Sequence, residues 1–204
     1  DQLGNQKIDK SKYLFWGKKE IKLNKKELDL RSKDCLVGLN EIKKKFNFYK
    51  IKFWIDLGSL LFLSRNQDMA EVSDIDLAID YKDLLKVKEV CKKINEKNNR
   101  YIIKKNEKVY FSQLLRKNLT QYVVIKKAKN FKYEPAIFEL NLLVMKGHKT
   151  ENLAKKKLFD SIFWTNEVYK SYKGLRLLIP YKTSKYLSKL YGRDWRRKKE
   201  FFYL

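Results

Sequence analysis

The chain has 204 residues and sets 48 Lys and Arg against 24 Asp and Glu, a formal net charge of +24. That length suits one domain or a domain with a small appendage, and the 44% apolar content is enough to bury a core. There is no run of 18 apolar residues for a transmembrane helix, two cysteines do not make a disulfide scaffold, and a single histidine excludes a Cys/His zinc site.

A Ser-His-Asp or Cys-His enzyme would have to rest on His148, which follows Gly147 in a Lys-rich loop. Of the basic residues 40 are Lys and only 8 are Arg, with Asn abundant, a mix that reflects codon usage as much as phosphate contacts. Such a chain is still drawn to polyanions, whether nucleic acid, nucleotide, anionic lipid or acidic glycan.

Residues 1–25 read as a polar N-terminal arm without the apolar stretch of a signal peptide, and residues 26–204 as one domain. Residues 26–48 form a helix whose apolar stripe is Leu28, Cys35, Leu39, Ile42 and Phe46. Residues 51–56 read as a strand with bulk on both faces, which predicts a central position. A tight turn at Gly58 then leads into a short helix from near Ser59 to Arg65. Residues 73–80 alternate strictly, with Ile75, Leu77 and Ile79 on one face and Asp74, Asp76 and Asp80 on the other.

A second amphipathic helix is expected over 82–97, with Leu84, Val87, Cys91 and Ile94 buried. Short strands of a meander follow at 101–104, 108–115 and 119–126. Residues 136–145 make a strong strand, with Phe138, Leu140, Leu142 and Val144 toward a core and Glu139 and Asn141 on the other side. Residues 167–172 and 175–179 read as a hairpin. After Pro180 comes a last helix at 183–191, stopped by Gly192. This order implies an α/β or α+β fold: a mixed sheet flanked by helices, with a C-terminal hairpin and helix. Both cysteines lie on apolar helical stripes and are expected to be reduced and inert.

The feature that carries chemistry is Asp74-Ile75-Asp76 on an otherwise apolar strand. Carboxylates at i and i+2 share a face, about 6.6–7 Å apart at Cα, and their side chains can converge on one divalent cation. Hard oxygen ligands favour Mg²⁺ or Mn²⁺. Asp-x-Asp also occurs on half-exposed strands with no ligand. Glu139, opposite the core on a later strand, would supply a third carboxylate. Gly58-Ser59 stands where a strand leads into a helix, and free N–H groups there suit a phosphate. Arg193, Arg196 and Arg197, with Lys198 and Lys199, form the densest Arg cluster, a candidate grip on an anionic donor or acceptor.

These residues resemble the LicD family, which includes the fukutin-related proteins and has a nucleotidyltransferase-like fold. The matching positions are Gly58-Ser59-Leu60-Leu61, Arg65 seven residues after the glycine, and the Ser73-Asp74-Ile75-Asp76-Leu77-Ala78 strand. A second block about 120 residues on, Ile179-Pro180, Tyr186-Leu187, Leu190-Tyr191-Gly192 and Trp195, resembles the family's closing Val-Pro, Tyr-Leu, Tyr-Gly and Trp. The resemblance covers roughly residues 30–197. It departs at Ser59, where the family has Thr, and at Glu71-Val72-Ser73, which is less acidic than the family's run and lacks its Pro and Trp. It departs again at Glu139, where the family usually has Asp.

The resemblance implies phosphotransfer. A phospho-substituent such as phosphocholine or a phospho-polyol would pass from a CDP-linked donor to a hydroxyl of a cell-surface glycan. Asp74, Asp76 and Glu139 would be the catalytic and metal-binding acids. Gly58, Ser59, Arg65 and Arg193 would hold substrate phosphates. The expected place is the cytoplasm, peripheral to the anionic inner face of the membrane, with a lipid-linked glycan as acceptor and no specific nucleic acid. Two alternatives use the same features: a true nucleotidyltransferase that releases pyrophosphate, and a non-catalytic module that binds polyanions through its charge.

Overall fold

The computed structural model describes residues 24–72, 74–87, 89–90 and 138–197, and the backbone of 109–112 and 120–124. The expected arm up to residue 23, the strand at 101–104, the far end of the helix over 82–97 with Cys91, and Lys198 and Lys199 lie outside the described residues.

Helix α1 (Lys25–Phe48) starts where Asn24 and Glu27 form a reciprocal capping box. Its expected stripe is buried: Cys35, Leu39, Ile42 and Phe46 are at most 2% exposed, with Leu28 half-buried beside them. Burial first of all pushes the Cys35 thiol up to about 12, so it stays protonated. Gly38 lies on the same face, against the ring of Phe138. A Cβ there would sit 2.5 Å from two ring carbons.

The sheet is mixed. Strands β1 (Phe53–Ile55), β2 (Ile75–Asp80), β3 (Val109–Ser112), β4 (Thr120–Val124) and β5 (Phe138–Lys146) take the order β1-β2-β5-β4-β3. Among the described strands only β2 and β5 pair in parallel; β1–β2, β4–β5 and β3–β4 are antiparallel. Strand β5 pairs β4 through 138–140 and then β6 (Lys149–Asn152) through 143–146, and β7 (Lys157–Asp160) pairs β6. The expected central place of the first strand is corrected. β1 lies at an end of the sheet order, and it looks central because Phe53, Trp54 and Ile55 are all buried. The hairpin of β8 (Val168–Tyr172) and β9 (Leu175–Ile179) packs beside it.

Helix α2 (Leu57–Ser64) begins two residues earlier than expected, so Gly58 lies inside its first turn and Leu57 makes the turn, at φ 41. After β2 a 3₁₀ turn (Tyr81–Asp83) runs into α3, described at 84–87 and 89–90. The β6–β7 hairpin and the short α4 (Ile162–Thr165) were not foreseen; they carry Phe159, Phe163 and Trp164 into an aromatic cluster with Tyr186 of α5 (Thr183–Tyr191). Among the described residues no helix is long and apolar enough to cross a membrane.

The loop between α2 and β2 is held by Asp68. Its carboxylate accepts from Ser32 of α1 (2.8 Å), the Ala70 N–H (3.0 Å), Lys173 (2.6 Å) and Tyr172. Burial alone would raise this carboxyl's pKa. The hydrogen bonds from Lys173, Tyr172, the Ala70 N–H and Ser32 outweigh it and hold the pKa below the ordinary value.

Two outcomes are expected. Gly38→Ala should destabilise by about 1–3 kcal/mol in urea unfolding despite alanine's better helix propensity, because the new methyl overpacks Phe138; unchanged or higher stability would contradict this contact. Asp68 contributes its stability in full above the unfolded-state pKa of about 3.9, and loses it as pH falls through the lower folded value. Thermal melts of Asp68→Asn should therefore lie below wild type at pH 7 and converge on it toward pH 2.

Candidate metal centre

Asp74 sits just ahead of β2 and Asp76 within it, while Glu139 follows Phe138 on β5. The parallel register sets Asp76 directly opposite Glu139. One carboxylate oxygen from each of Asp74, Asp76 and Glu139 lies within 4.8 Å of the other two, with Asp76 buried and its companions half-buried. The three acids named from the sequence are thus brought together. The polar face of β2 is not in water: Asp76 is 8% exposed and Asp80 7%.

Asp76 is built in from two sides. The Gly58 N–H donates to its Oδ2 at 3.0 Å, and the Asn141 amide, two residues beyond Glu139, donates to its Oδ1 at 3.3 Å. Burial, then the charges of Asp74, Glu139 and Asp56, push the Asp76 carboxyl well above the usual carboxylate range; the Asn141 bond pulls the other way. A divalent cation relieves that repulsion, and an all-oxygen donor set on one face suits Mg²⁺ or Mn²⁺. The donors present therefore fit such an ion.

The proposed phosphate-holding residues are placed as follows. Gly58 is at the acids, but its N–H already binds Asp76. Ser59 is fully buried: its hydroxyl accepts from the Asp76 N–H (2.8 Å) and donates to the Asp74 C=O (3.4 Å), bracing the strand that carries both acids. Arg65 follows α2 and donates to the carbonyls of Trp195 (Nε, 2.8 Å) and Arg197 (Nη2, 2.6 Å), joining the two sequence blocks physically. Arg193 is exposed in the turn after α5. Reading the sequence missed Asn141 as a partner of Asp76. Its signal was the i+2 spacing from Glu139, which put it on the same strand face.

Space at Gly58 is tight, since a Cβ would stand 3.2 Å from Asp76 Oδ2 and the carboxylate would have to give by a few tenths of an ångström. Gly58→Ala should leave the metal-free melting temperature unchanged or higher, as alanine favours the helix. The same variant should weaken Mn²⁺ binding in a titration, and unaltered Mn²⁺ affinity would separate Gly58 from the centre.

A scan against protein-family models and a search of curated proteins return no match. Among solved structures the chain is similar to the lincosamide antibiotic adenylyltransferase LnuA in its lincomycin-bound form. Identity is 13% and the TM-score 0.45, over 78% of this chain and 93% of that one. Likeness at that level decides nothing about chemistry, which rests here on the acids, and the LicD resemblance rests on the residues that carry it.

Proposed function

We propose that the protein is a divalent-metal-dependent transferase that moves a phospho-substituent from a CDP-linked donor to a hydroxyl of a cell-surface glycan. The observation that supports it is the convergence of Asp74, Asp76 and Glu139 from two parallel strands held in register. The donor and acceptor classes come from the LicD resemblance. The Arg65 bonds favour it by making its two blocks one unit.

Asp74, Asp76 and Glu139 would hold Mg²⁺ or Mn²⁺. The bound cation supplies Lewis-acid polarisation of the donor phosphate and neutralises charge on the leaving CMP. Gly58 and Asn141 would keep Asp76 aimed, each donating to one of its two oxygens. Glu139, half-buried and opposite Asp76, would complete the metal shell or take the proton of the attacking hydroxyl. Arg193 supplies positive charge for a diphosphate or an anionic acceptor. The net charge of +24 steers such polyanions and fits loose contact with an anionic membrane on the cytoplasmic side, where lipid-linked glycans are assembled.

The test is Asp76→Asn alongside wild type, with CDP-linked donors and with nucleoside triphosphates. Metal-free melting of the variant should be unchanged or higher, because one of several repelling carboxylates loses its charge. CMP release by wild type should fall by orders of magnitude in the variant. Pyrophosphate from a nucleoside triphosphate would replace this reading with nucleotidyl transfer. An Asp76→Asn protein that melts earlier yet keeps full turnover would refute catalysis at the centre and leave the charged surface as a polyanion-binding module.

A further inference from the structure

We propose that Tyr186 is a positioning residue for the metal centre, acting from α5 through the buried carboxylate of Asp56 and the first turn of α2. The inference rests on the metal-dependent reading of Asp74, Asp76 and Glu139.

Asp56 joins β1 to α2 and is fully buried, yet it is not one of the three converging carboxylates. Burying a carboxylate is costly unless its oxygens are hydrogen-bonded. Here the Tyr186 hydroxyl donates to Oδ1 at 2.7 Å and the Asn152 amide of β6 donates to Oδ2 at 3.1 Å. Two elements distant in sequence thus clamp this one side chain.

The backbone of Asp56 is tied to the centre. Its N–H donates to the Asp76 carbonyl at 3.0 Å, and its carbonyl accepts the first helical bond of α2, from Leu60, at 2.9 Å. The next residue, Leu57, stands at φ 41, a left-handed conformation that a branched side chain adopts only when its surroundings hold it there. Then comes Gly58, whose N–H binds Asp76 Oδ2. The path from the Tyr186 hydroxyl to the Asp76 carboxylate is therefore one side-chain hydrogen bond, a short clamped stretch of backbone, and one N–H bond. There is little room at its end, because a Cβ added at Gly58 would stand 3.2 Å from Asp76 Oδ2.

The Tyr186 ring has a separate role. It packs among Phe159, Phe163 and Trp164 with centroids 5.1–5.3 Å away. Tyr186→Phe keeps that packing and removes only the donor to Asp56, so packing and positioning separate experimentally.

The experiment is Mn²⁺ binding to the full chain, with Mn²⁺ alone as the probe, read from the electron paramagnetic resonance signal of the free ion. Wild type, Asp76→Asn, Tyr186→Phe and Leu177→Ala are compared, each with its metal-free melting temperature. Leu177→Ala, on β9, controls for loss of stability alone. Tyr186→Phe should weaken Mn²⁺ binding about tenfold, as removing a residue that orients a metal ligand does, while Leu177→Ala melts earlier with wild-type Mn²⁺ affinity. Tyr186→Phe with wild-type affinity, whatever its melting temperature, overturns the proposal, as does an equal loss of affinity in Leu177→Ala. If Tyr186→Phe does not fold, Asn152→Ala, which strips the other donor from Asp56, is measured in its place under the same two outcomes. Wild type without Mn²⁺ affinity, or Asp76→Asn with undiminished affinity, would instead overturn the metal centre itself, and this inference with it.

Discussion

Like charges held together are the constraint around which the molecule is arranged. Asp74, Glu139 and Asp56 all act on Asp76 at the start of the β2–β5 pairing and, after its burial, push its carboxyl well above the usual carboxylate range. Such a group survives burial only where donors surround it. Gly58 and Asn141 serve Asp76, and Tyr186 and Asn152 serve Asp56. The parallel register makes the arrangement specific. Ile75, Leu77 and Ile79 lie opposite Phe138, Leu140 and Leu142, all buried, and so fix which residues meet. A slip of one residue would turn Asp76 toward the apolar layer and part it from Glu139.

Residues that read as ligand contacts turn out to bind the chain itself as well. Ser59 braces the backbone on either side of Ile75, and Arg65 gathers carbonyls from the last turn of the described chain. A Gly-Ser pair and an Arg at this spacing thus have a structural use before any substrate arrives. Asp68 does similar work at the other end of the same loop, drawing Ser32, Tyr172 and Lys173 onto the approach to β2. Residues from α1, the α2–β2 loop and the β8–β9 hairpin meet there.

Elements with strong periodicity were legible: the α1 stripe, the alternation in β2 and β5, the β8–β9 hairpin and α5 each lie close to their expected limits. So was the pairing of Asp74 with Asp76, because i and i+2 on a strand share a face wherever the strand sits. Glu139 could be named only from its place opposite the core on a later strand and from the family resemblance. The place of β1 was not legible, since burial on both faces looks alike in a central strand and in an outer one covered by a hairpin. Lys149 and Lys155 to Lys157 hid β6 and β7 behind loop-like polarity, although the core there needs only alternate residues such as Thr150, Asn152 and Phe159. The partners of Asp56 had no local signal at all, because they lie 96 and 130 residues away.

Those separations bear on how the protein is made. The bonds that complete the centre run from Asp56 to Tyr186 and from Arg65 to Trp195, spanning 130 residues each. During synthesis α1, β1 and α2 emerge before β5, β6 and α5, with Asp56 among apolar neighbours and neither of its donors yet translated. The nascent chain therefore has only water to serve the Asp56 carboxylate, and carries the unpaired edge of β2, until β5, β6 and α5 follow. Contacts of such long range form slowly and leave surface open to association meanwhile. Assembly of this cluster therefore waits on α5, and a chain stalled before α5 would hold all three converging acids without the clamp on Asp56.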